Sequence, residues 1–229
     1  MNNAIPNTNT IQPHNDLQRR SLWRRVIISL PIIVCLPSLA TSAMARACDQ
    51  TCDLGNHNTS FGDVTFYELT TGTNDTALGE YTMANVTLGS YNTGIGQNVL
   101  TAMNTGNYNT AIGANAMFVG LTGDFNTAAG FESLYNSAAD GNTAAGFKTL
   151  WSDTSGAYNT ASGTYALFSN TSGADNTATG GYALFYNTGS NNTATGLSAL
   201  LNNSTGQNNT ATGMQAMNGV RAKWGSGEQ

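Results

Sequence analysis

The phrase NTATG stands at residues 176–180, 192–196 and 209–213, and looser copies of it run back through most of the chain. Aligned on the Asn-Thr step, ten copies begin at Asn58, Asp75, Asn92, Asn109, Asn126, Asn142, Asn159, Asn176, Asn192 and Asn209, spaced by 17 residues seven times and by 16 twice. A short fixed period constrains the fold strongly, because each unit is too small to bury an apolar face alone and must stack on the next copy of itself.

The consensus is N-T-A-x-G-x-x-A-L-x-x-N-T-x-G-x-x. Its ninth position is always large and apolar: Phe66, Met83, Leu100, Met117, Leu134, Leu150, Leu167, Leu184, Leu200 and Met217. A unit of this length cannot hold two packed helices. Glycine at the fifth position, from Gly62 to Gly213, and usually again near the fifteenth, favours bends over helix. The segments between bends, T-A-x and A-L-F, read as short strands. The expected fold is all-β: a parallel β-solenoid or β-roll of about ten coils, two short strands in each, identical positions stacking about 4.8 Å apart for a length of about 48 Å.

In that fold the small third position (Ala111, Ala128, Ala144, Ala161, Ala178, Ala194, Ala211) points inward opposite the Leu column. The Asn column forms a side-chain ladder at a bend, and polar bend residues such as Asn170, Thr171, Asn187, Thr188, Asn202 and Asn203 are expected around the outside. One Leu and one or two Ala per coil make a thin core at about 25 cal/mol per Å² buried. The tenth position adds Tyr67, Phe118, Tyr135, Trp151, Phe168, Phe185 and Leu201. Neighbours on a strand face opposite ways, so these side chains form an outward stripe. Stripes of this length are seldom left in water, and the simplest cover is the same stripe on sister chains around a rotation axis.

Only 9% of residues are charged, and Gly, Asn, Thr, Ser and Ala dominate. Such a composition also suits a disordered chain, but the regular placement of Leu, Met, Phe, Tyr and Trp argues for order. The net charge is −5, and four of the eight basic residues (Arg19, Arg20, Arg24, Arg25) precede an uncharged apolar run from Val26 to Ala40. Basic cluster, apolar run and small residues follow the order of a secretory signal peptide, with A-x-A cleavage sites at Ala43-Met44-Ala45 and Ala45-Arg46-Ala47. The run is interrupted by Pro31 and Pro37 and is shorter than the roughly 20 residues a membrane span needs. The expected organisation is a leader over 1–47, a short cysteine-containing cap over 48–57, the repeat roll over 58–219 and a tail over 220–229. Arg19-Arg20-x-Leu22 faintly resembles a twin-arginine export signal. The exported part is acidic, with no transmembrane span expected, which argues against a nucleic-acid partner. Cys48 and Cys52 are its only cysteines; they can close a small disulfide loop or link chains, but cannot fill a zinc site by themselves.

In NTAIGANAM (109–117) and NTASGTYAL (159–167) the repeat resembles the head regions of trimeric autotransporter adhesins, the YadA-like heads with Hep/Hag repeats. The resemblance spans roughly residues 56–219. It implies a β-roll head in a three-chain bundle that attaches to a host-cell or matrix surface. Similar repeats precede self-cleaving chaperone domains in phage tail fibres. The chain departs from the family in its longer period, nearer 14 in the usual head repeat, and from MNGVRAKWGSGEQ neither a stalk nor a membrane-anchor barrel is expected.

Little in the sequence points to catalysis. His57 is the one histidine beyond the leader, and no nucleophile elbow or paired carboxylates accompany it. Asp124, Asp140, Asp153 and Asp175 fall at shifting repeat positions, unlike the regular aspartates of calcium-binding rolls. Neither enzyme activity nor a cofactor or metal is expected. A further reading comes from Thr177-Ala178-Thr179, Thr193-Ala194-Thr195 and Thr210-Ala211-Thr212, a T-x-T ladder resembling those of ice-binding solenoids, which earlier copies break with Ile112, Ala129 and Ala145. The function classes left open are an exported adhesive or structural head, a phage-fibre segment and an ice-binding solenoid.

Overall fold

The computed structural model describes residues 56–67, 71–119 and 122–219. They form a parallel β-solenoid with one strand from each repeat: β1 Thr59–Phe61, β2 Thr76–Leu78, β3 Thr93–Ile95, β4 Thr110–Ile112, β5 Thr127–Ala129, β6 Thr143–Ala145, β7 Thr160–Ser162, β8 Thr177–Thr179, β9 Thr193–Thr195 and β10 Thr210–Thr212. The ten strands make a single parallel sheet in chain order. Each pairs in register with its repeat equivalent, as Thr193 with Thr177 and Thr210 with Thr193. The two 16-residue repeats lose their missing residue outside the strands, so the register survives. In every strand the middle residue is buried and the last is exposed.

The A-L-x segment follows another path from the strand expected of it. All ten residues at position nine have positive φ, from +49° at Leu134 to +54° at Met217, and so do all ten at position seven, including Tyr165 (+58°) and Lys148 (+51°). Left-handed backbone costs a non-glycine residue roughly 1–2 kcal/mol. The coil offsets that cost with hydrogen bonds. At position seven the N–H donates to the preceding coil, as Tyr165 N does to Phe147 O (2.9 Å), and at position nine it donates to the following one, as Leu167 N does to Ala183 O (3.0 Å). Alternating φ thus sends successive N–H groups up and down the stack while the Leu side chain still enters the interior.

The interior is built from columns. Positions three, eight and nine contribute Ala161, Ala166 and Leu167 in one coil and Ala178, Ala183 and Leu184 in the next, all part of one continuous core. Met217, in the tenth coil, is 39% exposed because no described coil lies above it. The Asn of position one is buried too, from Asn58 to Asn192. Asn109 Oδ1 accepts the backbone N–H of Asn126 (2.9 Å), and its Nδ2 donates across the coil to Gly123 O (2.8 Å). The same pattern recurs at Asn58, Asn92, Asn142, Asn159, Asn176 and Asn192.

Position twelve corrects the expectation of an outer polar ring. Asn170, Asn187 and Asn203 are fully buried, not exposed. They form a second interior ladder in which Asn203 Nδ2 donates to Asn187 Oδ1 (2.9 Å) and Asn170 Nδ2 to Gly173 O (2.8 Å). The thin aliphatic core leaves room for amides, and these amides satisfy the carbonyls that the bends turn inward. Thr171 is exposed, and Thr188 and Asn202 are half-buried, so part of the expected ring is in place.

Candidate functional site

The main surface feature grows from position ten. Phe118, Tyr135, Trp151, Phe168 and Phe185 lie in five successive coils, and their rings stack in one file with centroids 5.3, 5.4, 5.4 and 5.1 Å apart. The spacing follows from one ring per coil at the strand repeat of about 4.8 Å. Each ring covers the faces of its neighbours, and the file stays only half-buried. Leu201 continues it. Tyr67 does not belong to it: it is 47% exposed, and Ala84 and Thr101 occupy the tenth position in the coils between.

Side chains from positions six, seven and eleven widen the file. Phe131 stacks on Phe147 (5.5 Å), Tyr165 packs edge-on against Phe147 and Phe168 (5.3 Å each), and Tyr186 packs edge-on against Phe185 (4.6 Å). Lys148, the one basic residue among those described, pairs with Glu132 at 3.3 Å and lies 5.6 Å from the centre of the Phe147 ring. Glu132 also accepts the indole N–H of Trp151 (2.9 Å). The patch is therefore aromatic and close to neutral.

The outer face of the sheet carries positions two and four. Position two is Thr in all ten copies, exposed or half-buried throughout, and position four runs from Phe61, Leu78, Ile95 and Ile112 through Ala129, Ala145 and Ser162 to Thr179, Thr195 and Thr212.

Two acids are buried inside the roll. Asp75 replaces Asn at position one; burial pushes its carboxyl up to about 6, against a smaller opposing effect of the Asn92 N–H. Asp153 stands at position twelve, where burial raises it to about 7 against the N–H of Gly156. They lie in different coils and different columns, so they form no acid/base pair. His57 is exposed, with φ +60°, at a bend. Among the described residues no three His, Cys, Asp or Glu side chains converge as a metal site, and no helix is long and apolar enough to cross a membrane. Cys48, Cys52, the leader and the tail lie outside the described residues.

Searches against family models, curated proteins and solved structures found no match to the chain. The likeness to adhesin heads rests on the repeat motif alone. The Asn ladder of position one was expected at a bend and is present; its burial, the second ladder at position twelve and the left-handed Leu column were not foreseen, and nothing in a Leu signals positive φ.

Proposed function

We propose that the chain is the exported head of a homotrimeric surface protein, rigid and repetitive, that holds its bearer to cells or matrix through many weak contacts. The observation that carries this reading is the five-ring file from Phe118 to Phe185. A surface with one ring every coil meets its like in register only on a body with the same repeat, and another copy of this chain is such a body. The patch is almost uncharged, which suits a desolvated seam. Five coils span about 20 Å; with the flanking Phe147, Tyr165 and Tyr186 the patch is wide enough for a modest interface, and repetition along the axis adds to it. The number three comes from the resemblance to trimeric heads, and export from the leader.

Bringing three rolls together triples every exposed column, so weak contacts multiply through effective concentration. The test is retention of chain-coated beads on cell or matrix layers under flow. Beads carrying the wild-type chain should be retained, and beads carrying Phe168→Asp/Phe185→Asp should wash off. Equal retention of the two would remove the link between association and attachment, and no retention by either would remove attachment as the function.

A further inference from the structure

We infer that the threonine face of the sheet is a binding surface for ordered water at the surface of ice. Every copy has Thr at position two, where an outward strand residue is free to vary as widely as position four does. Intramolecular bonding does not explain the choice. Among the described residues, none of the hydroxyls of Thr143, Thr160, Thr177, Thr193 or Thr210 has a partner within the chain. The threonines recur at the strand spacing of about 4.8 Å over about 43 Å along the roll, and these five free hydroxyls with their methyl groups over about 19 Å of it. In the last three coils Thr179, Thr195 and Thr212 add a second file about 6.6 Å away along the strand.

The chemistry of this face selects its ligand. Positions two and four hold no charged residue in any copy, so neither an ionic polymer nor a charged membrane is matched to it. Hydroxyls both donate and accept, so a ligand that satisfies them in ranks must do both as well. Sugar hydroxyls and water qualify. A crystalline polysaccharide would also want open ring faces for its sugars, and the last three coils, where both files are threonine, offer none beside the files: the residues two ahead of Thr177, Thr193 and Thr210 are Asp175, Asn191 and Asn208. Water held between the hydroxyl files, with methyl groups spacing it, meets both requirements.

The test is partition of the whole chain into a slowly growing ice front, together with inhibition of ice recrystallisation. The wild-type chain and a Ser172→Lys variant, altered at an exposed bend, should both enter the ice. Thr177→Lys/Thr193→Lys should be rejected like a non-binding protein while melting at the wild-type temperature. Should that variant fail to fold, Thr177→Ser/Thr193→Ser, which keeps the hydroxyls and removes only the methyls, should still lower partition. The proposal is overturned if the wild-type chain is excluded from ice, if the threonine variants partition like it, or if the chain instead binds crystalline cellulose or chitin through these threonines and ignores ice.

Discussion

The carboxylate of Asp75 accepts the backbone N–H of Asn92 at 2.7 Å, but its other oxygen is buried without a donor. Asn92, one coil on, has an amide nitrogen in that place and sends it to Gly106 O (2.9 Å). Asp75 thus keeps one half of an amide's bonding and loses the other. Asp153 likewise occupies a position that is Asn in the next three coils. Both carboxyls lie above their ordinary value of 3.8, at about 6 and about 7, so the folded chain holds protons that the unfolded chain releases. By linkage, stability is fully present below about pH 4, falls as pH rises through the window from 3.8 to about 7, and levels off above it. Urea midpoints should therefore rise when the pH is lowered from about 8 to about 5. In Asp75→Asn/Asp153→Asn this dependence should largely vanish, with greater stability at the higher pH; an unchanged slope would contradict the assignment.

Asn109→Ala should be far more damaging than a surface Asn change. It leaves the N–H of Asn126 and the carbonyl of Gly123 buried without partners, at about 1–3 kcal/mol each. Denaturant unfolding should show a loss of several times the effect of Asn202→Ala, whose side chain bonds only at the half-buried surface. Asn109→Asp should recover much of the loss in acid, where a protonated carboxyl can donate to Gly123 O. Similar stabilities for Asn109→Ala and Asn202→Ala would show that the amide ladder contributes little.

Glycine is required where coils touch by their backbones. A Cβ on Gly163 would lie 2.6 Å from the carbonyl carbon and oxygen of Gly180, at φ +134°. Gly163→Ala should accordingly lower the melting temperature markedly, by strain and by pushing two coils apart. At Gly181 a Cβ meets the end of the Leu197 side chain at 3.3 Å and Thr164 O at an ordinary 3.8 Å, and the backbone is not left-handed. Gly181→Ala should melt close to the wild-type temperature. Comparable losses at both glycines would contradict this reading of the stack.

The period made the solenoid legible, because 17-residue spacing with glycine at position five leaves no other way to bury Leu167 beneath Leu184. Sequence also set the ring file of position ten, though Ala84 and Thr101 break it before Tyr67. The path of the chain through the Leu segment was not legible: Leu has no preference for positive φ, and only the hydrogen bonds to both adjacent coils impose it. Asn170, Asn187 and Asn203 were hidden for a related reason. Amides at bends ordinarily face water, and their place inside follows from inward-turned carbonyls that the sequence does not display.

The central claim, that the aromatic file is a seam between chains, is tested most directly by the molar mass of the chain in solution, measured by sedimentation equilibrium. Phe168 and Phe185 stack at 5.1 Å near the upper end of the file, so Phe168→Asp/Phe185→Asp puts charges into any seam formed there. The account predicts a folded trimer for the wild-type chain and a folded monomer for the double variant. A wild-type chain that sediments as a stable, folded monomer would contradict it.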